Sequence, residues 1–309
     1  MKLEGMHHLT MITGDAERNV EFYSDILGLR MVKKTVNFDA PEAYHLYFGD
    51  EQGSPGSILT WFEFAGARRG SAGAGMIHTI QLGVSSQAAL DFWAERLAGK
   101  GYATDRGERS LSFEDYDGLA LELVVADDGN PPLVAQHPEV PAEHAILGVE
   151  GARAYIGRGT AADRELLTDT LGFTEVGEGE YRLDGDTRHF HWGYDATSER
   201  GVQGAGIVHH IAWHSRDEDH VLWQARVAEA GMHVTPVIDR DYFYSIYFRQ
   251  PQGILFEIAT TSPGFAVDED PEHLGEELRL PAQHERLRPL LEQHLTPLAN
   301  PRTTARQEV

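Results

Sequence analysis

Apolar residues along this chain follow two rhythms. Stretches such as IVHHIAWHS (207–215) and GILFEIAT (253–260) are short, rich in β-branched and aromatic residues and bounded by turn residues, as strands are. Elsewhere apolar positions recur at three and four: Val20, Tyr23, Ile26 and Leu27 predict one buried face of a helix over 15–28. The two rhythms repeat in one order, a strand, a helix and three further strands, over 6–64, 76–126, 146–192 and 207–260. The first strands read MHHLTMIT, MIHTIQLGV, ILGVEGARAYIG and IVHHIAWHS, and each helix closes on Leu-Gly or Ala-Gly, a C-terminal stop. In the last segment the later strands are expected at 232–237, 242–249 and 253–260.

One βαβββ unit cannot bury its own apolar face, so the units must pair. The pattern predicts an α+β fold of four βαβββ modules paired into two curved mixed-sheet barrels. A Pro-rich, acidic stretch at 127–144 suggests an N-terminal domain at 1–126 and a C-terminal domain at 146–262, followed by a tail at 263–309 with one helix near 283–295.

Composition narrows the chemistry. The chain is 41% hydrophobic, with 13 Phe, 11 Tyr and 5 Trp, which suits a packed core. It has no cysteine, so disulfides and thiolate chemistry are excluded and any metal must sit on His, Asp or Glu. A formal charge of −23 argues against nucleic acid and membrane surfaces as partners. The opening MKLEGMHHLTMI lacks an apolar signal core and no apolar run reaches spanning length, so the cytoplasm is the expected location. A homo-oligomer is left open.

Strand alternation sorts the candidate site residues. In IVHHIAW, Ile211 and Trp213 are expected to face the helices together with His209, leaving His210, Ala212 and His214 on the concave side. In ILFEIAT, Phe256 and Ile258 take the helix side and Glu257 the concave one. In YFYSIYF, Ile246 and Phe248 leave Ser245 and Tyr247 inside. His210, Tyr247 and Glu257 would then share one face, and an inward carboxylate is costly without a partner. His8 holds the place in the first module that His210 holds in the fourth.

MHHLTMIT at the start, VHHIAW at 208–213 and GILFEIAT at 253–260, set in a fourfold repeat, resemble the vicinal-oxygen-chelate (glyoxalase/bleomycin-resistance/dioxygenase) superfamily. Within it the chain is similar to extradiol-type dioxygenases that open hydroquinone-type rings, and the resemblance covers essentially the whole chain. It implies Fe(II) held by His8, His210 and Glu257, with Mn(II) as an alternative metal, and a small aromatic diol and O2 as substrates. In that topology the first and fourth strands of a module are neighbours, and a pseudo-twofold pairing of modules one and four brings His8 opposite His210 and Glu257. The resemblance also sets Arg240, Tyr247, His209, Thr10 and His7 around the substrate. Tyr247 or His209 would be the acid–base partner and Arg240 the stabiliser of negative charge.

Two His and one carboxylate leave three positions open on iron(II), as oxygen chemistry requires. Thr60 stands where a second carboxylate would be, and two carboxylates would suit a glyoxalase-like isomerase or lyase better. That enzyme class and a non-catalytic small-molecule binder are the alternatives. Tyr247 as core, Arg240 as a turn charge, and His7 and His209 as packed core residues are the plain readings of those positions. A rival set in modules two and three takes His78 and Glu122 as equivalents of His210 and Glu257, with His189 nearby, but Val149 falls where a first-strand His is needed. In catechol-cleaving four-module relatives the first His lies in module three, so the resemblance implies para-diols in preference to catechols. His45, His137, His144, His220, His273, His284 and His294 are expected to be solvated.

Overall fold

The computed structural model describes residues 1–127, 129–157 and 161–303. Asp128 in the linker, Thr160 at the start of the expected third helix and residues 304–309 of the tail lie outside the described residues. Module one comprises β1 (Leu3–Thr13), α1 (Ala16–Val20, continued by a π-helical turn over Glu21–Ile26), β2 (Arg30–Val36), β3 (Tyr44–Gly49) and β4 (Ile58–Glu63). Module two comprises β5 (Met76–Val84), α2 (Gln87–Gly99), β6 (Thr104–Arg106), β7 (Ser110–Glu114) and β8 (Ala120–Val125). Module three comprises β9 (Val149–Ile156), α3 (Ala161–Glu165, continued over Leu166–Leu171), β10 (Thr174–Gly177), β11 (Glu180–Asp184) and β12 (His189–Ala196). Module four comprises β13 (Val208–Ser215), α4 (His220–Glu229), β14 (Ile238–Asp239), β15 (Phe243–Arg249) and β16 (Leu255–Pro263).

The strands form two eight-stranded mixed sheets, ordered β14-β15-β16-β13-β1-β4-β3-β2 and β10-β11-β12-β9-β5-β8-β7-β6. Module one therefore pairs with module four, and module two with module three. Each sheet draws on both sides of the 127–145 linker, so 1–126 and 146–262 do not form separate closed sheets. No strand forms over 232–237, where Pro236 has no N–H to give and the Thr235 hydroxyl accepts the Tyr247 N–H at 3.0 Å in place of a backbone carbonyl; the two-residue β14 follows that stretch.

The helix-facing side chains behave as their alternation predicts: Ile211, Trp213, Ile246, Phe256 and Ile258 are fully buried. Trp213 meets Trp192 of the other sheet at 5.7 Å between ring centroids, so the two sheets share a core. Each such side chain is worth about 1.5–3 kcal/mol of burial. The tail covers the free edge of β2. Lys34 bridges to Leu278, and the buried Lys33 donates to Asp268 at 2.6 Å and to Glu269. The tail helix α5 (Arg288–His294) follows a 3-10 turn over Ala282–Leu287.

The two central strands carry matched irregularities. Met6 pairs with Trp213 and His8 with Ala212, so His7 is an extra residue, and Thr10 pairs with His210 while Met11 pairs with Val208, so His209 is another. A bulge of this kind re-aims a side chain and raises the local twist.

Candidate metal centre

The parallel pairing of β13 with β16 sets Ala212 against Glu257, and the antiparallel pairing of β1 with β13 sets Ala212 against His8. His210 is two residues before Ala212 on the same face. These registers bring His8, His210 and Glu257 together in the middle of the first sheet. His210 Nε2 lies 2.9 Å and His8 Nε2 3.3 Å from Glu257 Oε2, and the two Nε2 atoms are 3.4 Å apart. All three side chains are buried. Among the described residues no other group of three His, Asp or Glu converges in this way.

The donor set fits a divalent cation. Three ligand atoms lie within 4.8 Å of one another, and the buried Glu257 Oε2 faces the two ring nitrogens of His8 and His210. Burial would push the Glu257 carboxyl up, but the imidazoles of His8 and His210 outweigh it and hold it well below the usual carboxylate range. Burial keeps His210 below the ordinary imidazole value. A carboxylate beside two imidazoles is the donor chemistry an iron(II), manganese(II) or zinc(II) ion takes.

The bulges serve this centre. His7 Nδ1 lies 2.9 Å from His8 Nδ1, and His209 Nδ1 lies 2.7 Å from His210 Nδ1. Each ligand imidazole thus has its outer nitrogen held by the preceding residue, which fixes ring orientation. Ser245 Oγ donates to Glu257 Oε1 at 2.5 Å, leaving Oε2 to the two histidines.

A cavity of about 400 Å³ opens over the ligands, lined by His8, His45, Tyr47, Phe62, His209, His210, Arg240 and Tyr247 among others. Arg240 Nε donates to the Tyr247 hydroxyl at 3.1 Å, its guanidinium lies 5.2 Å from the Tyr247 ring, and Nη1 reaches Asp39 at 3.4 Å. Burial pushes the Tyr247 phenol well above its ordinary value. Withdrawal from water, with help from His210, lowers His209 to about 4.

Several expected positions change. His209 does not face the helices with Ile211; the bulge turns it to the cavity beside His210. His7 and Thr10 do not line this cavity. His7 is buried behind His8 and borders a different hollow, and Thr10 accepts from Thr60 Oγ1 at 3.0 Å inside the sheet. His45 and His220 are buried, not solvated: His45 lies in the cavity wall, and His220 Nδ1 is 3.0 Å from Ser215 Oγ. The clue to His45 was its place in AYHLYF, two residues before Tyr47 and so on the same strand face.

The rival set in the second sheet does not assemble. Strand register makes Thr79 the equivalent of His210, and Gly151, not Val149, the equivalent of His8. His78 corresponds to His209 and turns to Asp195 at 2.9 Å, while Glu122 accepts from Gln81 at 2.8 Å. His189 lies beside His191, at 5.4 Å between ring centroids.

The fold and site define a class. The chain belongs to the Glyoxalase/Bleomycin resistance protein/Dioxygenase superfamily, whose profile matches residues 5–123 and 160–258. It is 44% identical over 309 residues to "Putative ring-cleaving dioxygenase MhqO" of Bacillus subtilis (strain 168), covering 96% of this chain and 97% of that one. It is 32% identical over 312 residues to the "Chlorohydroquinone/hydroquinone 1,2-dioxygenase" of Sphingobium indicum, covering 92% and 93%. The crystal structure of a "putative dioxygenase" from B. subtilis superposes with a TM-score of 0.90 at 42% identity, covering 96% and 98%. Glyoxalase I from Zea mays shares the fold alone, with a TM-score of 0.59 at 14% identity over 84% of this chain and 92% of that one. No helix among the described residues is long and apolar enough to cross a membrane.

Proposed function

We propose that this protein is an iron(II)-dependent ring-cleaving dioxygenase that inserts O2 into hydroquinone-type aromatic diols. The observation that carries this reading is the buried His8–His210–Glu257 cluster, whose three ligand atoms converge beneath a cavity walled by aromatic rings. Identity to relatives named for ring cleavage and for hydroquinone supports the substrate class.

His8, His210 and Glu257 would hold the metal, which when bound supplies O2 activation and electron transfer between diol and O2. Manganese(II) suits the same donors. The protein's own part is orientation and proton control. Phe62, Phe243 and Leu255 in the wall exclude water and enclose a ring. A para-diol cannot chelate through both oxygens, so side chains must fix its far end. Arg240 favours negative charge on an oxygen near the Tyr247 hydroxyl, which it already holds. His209 is neutral at pH 7 and serves as hydrogen-bond partner or proton acceptor. The single carboxylate weighs against the isomerase alternative, since module one offers Thr60 opposite Thr10 where module four offers Glu257.

Anaerobic loading with iron(II), followed by oxygen-electrode assays on hydroquinones and catechols, tests the reading. Oxygen uptake coupled to ring opening is expected, with hydroquinones preferred in kcat/KM. A tenfold preference for catechol, about 1.4 kcal/mol in transition-state binding, would reject the para-diol assignment. No oxygen uptake with any diol would reject the dioxygenase.

A further inference from the structure

The two walls of the cavity are related by the module repeat, and their hydrogen bonds run in opposite senses. Tyr247 pairs with Glu257 across β15 and β16, and Tyr47 pairs with Thr60 across β3 and β4. The residues two positions earlier also correspond: Ser245 donates to Glu257 Oε1, and His45 Nε2 lies 2.8 Å from Thr60 Oγ1. On the module-four wall the Tyr247 oxygen accepts from Arg240 Nε, so its own proton is directed elsewhere.

On the module-one wall a chain of bonds sets the polarity. Thr60 Oγ1 donates its only proton to Thr10 Oγ1, so the His45 Nε2–H must be the donor to Thr60. His45 is then protonated on Nε2, and its Nδ1, 2.9 Å from the Tyr47 hydroxyl, accepts from Tyr47. The Tyr47 proton is thereby committed, and its oxygen offers the cavity only acceptor lone pairs.

We infer that the cavity selects its ligand by opposed tyrosine polarity: Tyr247 donates to a ligand oxygen, and Tyr47, held by His45 and Thr60, accepts from a ligand hydroxyl that keeps its proton. The ligand class is a reduced diol, one of whose oxygens serves as acceptor while the other remains a donor. A quinone, which has two acceptor oxygens and no proton to give, is disfavoured, so the site separates the reduced from the oxidised form of one ring. His45 and Thr60 are positioning residues in this scheme, acting through Tyr47. A site built to bond a hydroxyl discriminates strongly against an analogue lacking it, because its buried partner is left unpaired. The inference deepens the diol reading above and rests on it.

The test is anaerobic equilibrium binding to protein loaded with redox-inert zinc(II), comparing 1,4-dihydroxybenzene, 4-fluorophenol and 1,4-benzoquinone. Fluorine is close in size to hydroxyl but gives no proton. Hydroquinone should bind at least about tenfold more tightly than 4-fluorophenol or the quinone. Tyr47→Phe should remove most of that ratio. Thr60→Val keeps the shape of the side chain but removes the acceptor of His45 Nε2–H; the ratio should fall because Tyr47 can then turn donor. Melting curves check that both variants fold, and the ligand ratio within each variant cancels a general loss of affinity. Equal binding of hydroquinone and 4-fluorophenol by the parent, or an unchanged ratio in both variants, overturns the inference and leaves the dioxygenase reading intact. Failure of every ring to bind overturns both. Discrimination by the zinc form without oxygen uptake by the iron form keeps the inference and removes the dioxygenase.

Discussion

The two sheets are the same construction twice, yet among the described residues only one of them gathers a set that could hold a metal. In the sheet of modules one and four, the ligand atoms of His8, His210 and Glu257 converge on one another, with Glu257 Oε2 facing both rings. In the sheet of modules two and three the equivalent carboxylate, Glu122, is satisfied by Gln81, which occupies the space that Gly151 leaves open where His8 would stand. Its bulged histidine, His78, is stacked on Tyr155 at 3.8 Å and bound to Asp195, which Arg153 also holds by two hydrogen bonds. One sheet disperses its polar groups among separate side-chain pairs, and the other gathers three metal-ligand types at one buried point. Gathering a carboxylate and two imidazoles out of water is costly unless they share a partner, which is why the first sheet is the candidate site.

The sharpest way to break that contrast is to remove a ligand from each sheet. The parent should take up about one divalent ion per chain. His210→Ala or Glu257→Ala should abolish both metal retention and oxygen uptake, because a site reduced to two ligands is labile. His78→Ala and Glu122→Gln should retain the ion. Metal content by elemental analysis decides the matter: full occupancy in His210→Ala, or loss in His78→Ala, would overturn the assignment of the centre to the first sheet.

A second substitution sharpens the comparison at the level of rate. Tyr247 and Tyr155 both lie beside a histidine, but only Tyr247 borders the cavity above the ligands. Tyr247→Phe should keep its metal and lose roughly 100- to 10,000-fold in kcat, the usual range for an acid–base partner. Tyr155→Phe should turn over like the parent. Parent-like turnover in Tyr247→Phe would make that tyrosine a wall residue only.

Much of the first sheet is legible in the sequence. Alternation along β15 and β16 put Ser245, Tyr247 and Glu257 on one face, and they are found there. The repeat put His8 in register with His210. What alternation could not reveal is the bulge, because an inserted residue breaks the period of two without leaving a mark in residue type. Alternation alone therefore places His209 on the wrong side, although the resemblance sets it around the substrate, and it shifts the second-sheet equivalences by one residue at His78 (Thr79) and by two at Val149 (Gly151). His45 was missed for another reason. A histidine followed by Leu-Tyr-Phe looks like any edge-strand polar residue until the Thr60 and Tyr47 hydroxyls are found on its two nitrogens. The pairing of first with last module was foreseen for the site, yet the linker at 127–144 pointed to a division by sequence halves that the sheets do not follow.

The smallest effect expected is on acid stability, and it too separates the sheets. Burial lowers His45 well below the ordinary imidazole value, with the positive charge of nearby imidazoles and Arg240 adding to it, so the ring stays neutral in the folded protein. In the unfolded chain the same ring takes a proton near pH 6.5. Its folded value being the lower one, the unfolded state binds more protons below pH 6.5, and stability falls as the pH falls. The loss amounts to about 1.4 kcal/mol for each unit by which the two values differ, over the range traversed. In the second sheet, burial also lowers His78, but its hydrogen bond to the Asp195 carboxylate works against it and the ring is less enclosed. In the metal-free protein, urea midpoints measured from pH 7.5 to pH 5 should therefore drop with acid. The drop should be shallower in His45→Gln, and His78→Gln should follow the parent more closely. A parent midpoint that is flat across that range would show that the cavity wall accepts the imidazolium, and the neutral His45 on which the orientation of Tyr47 depends would be lost with it.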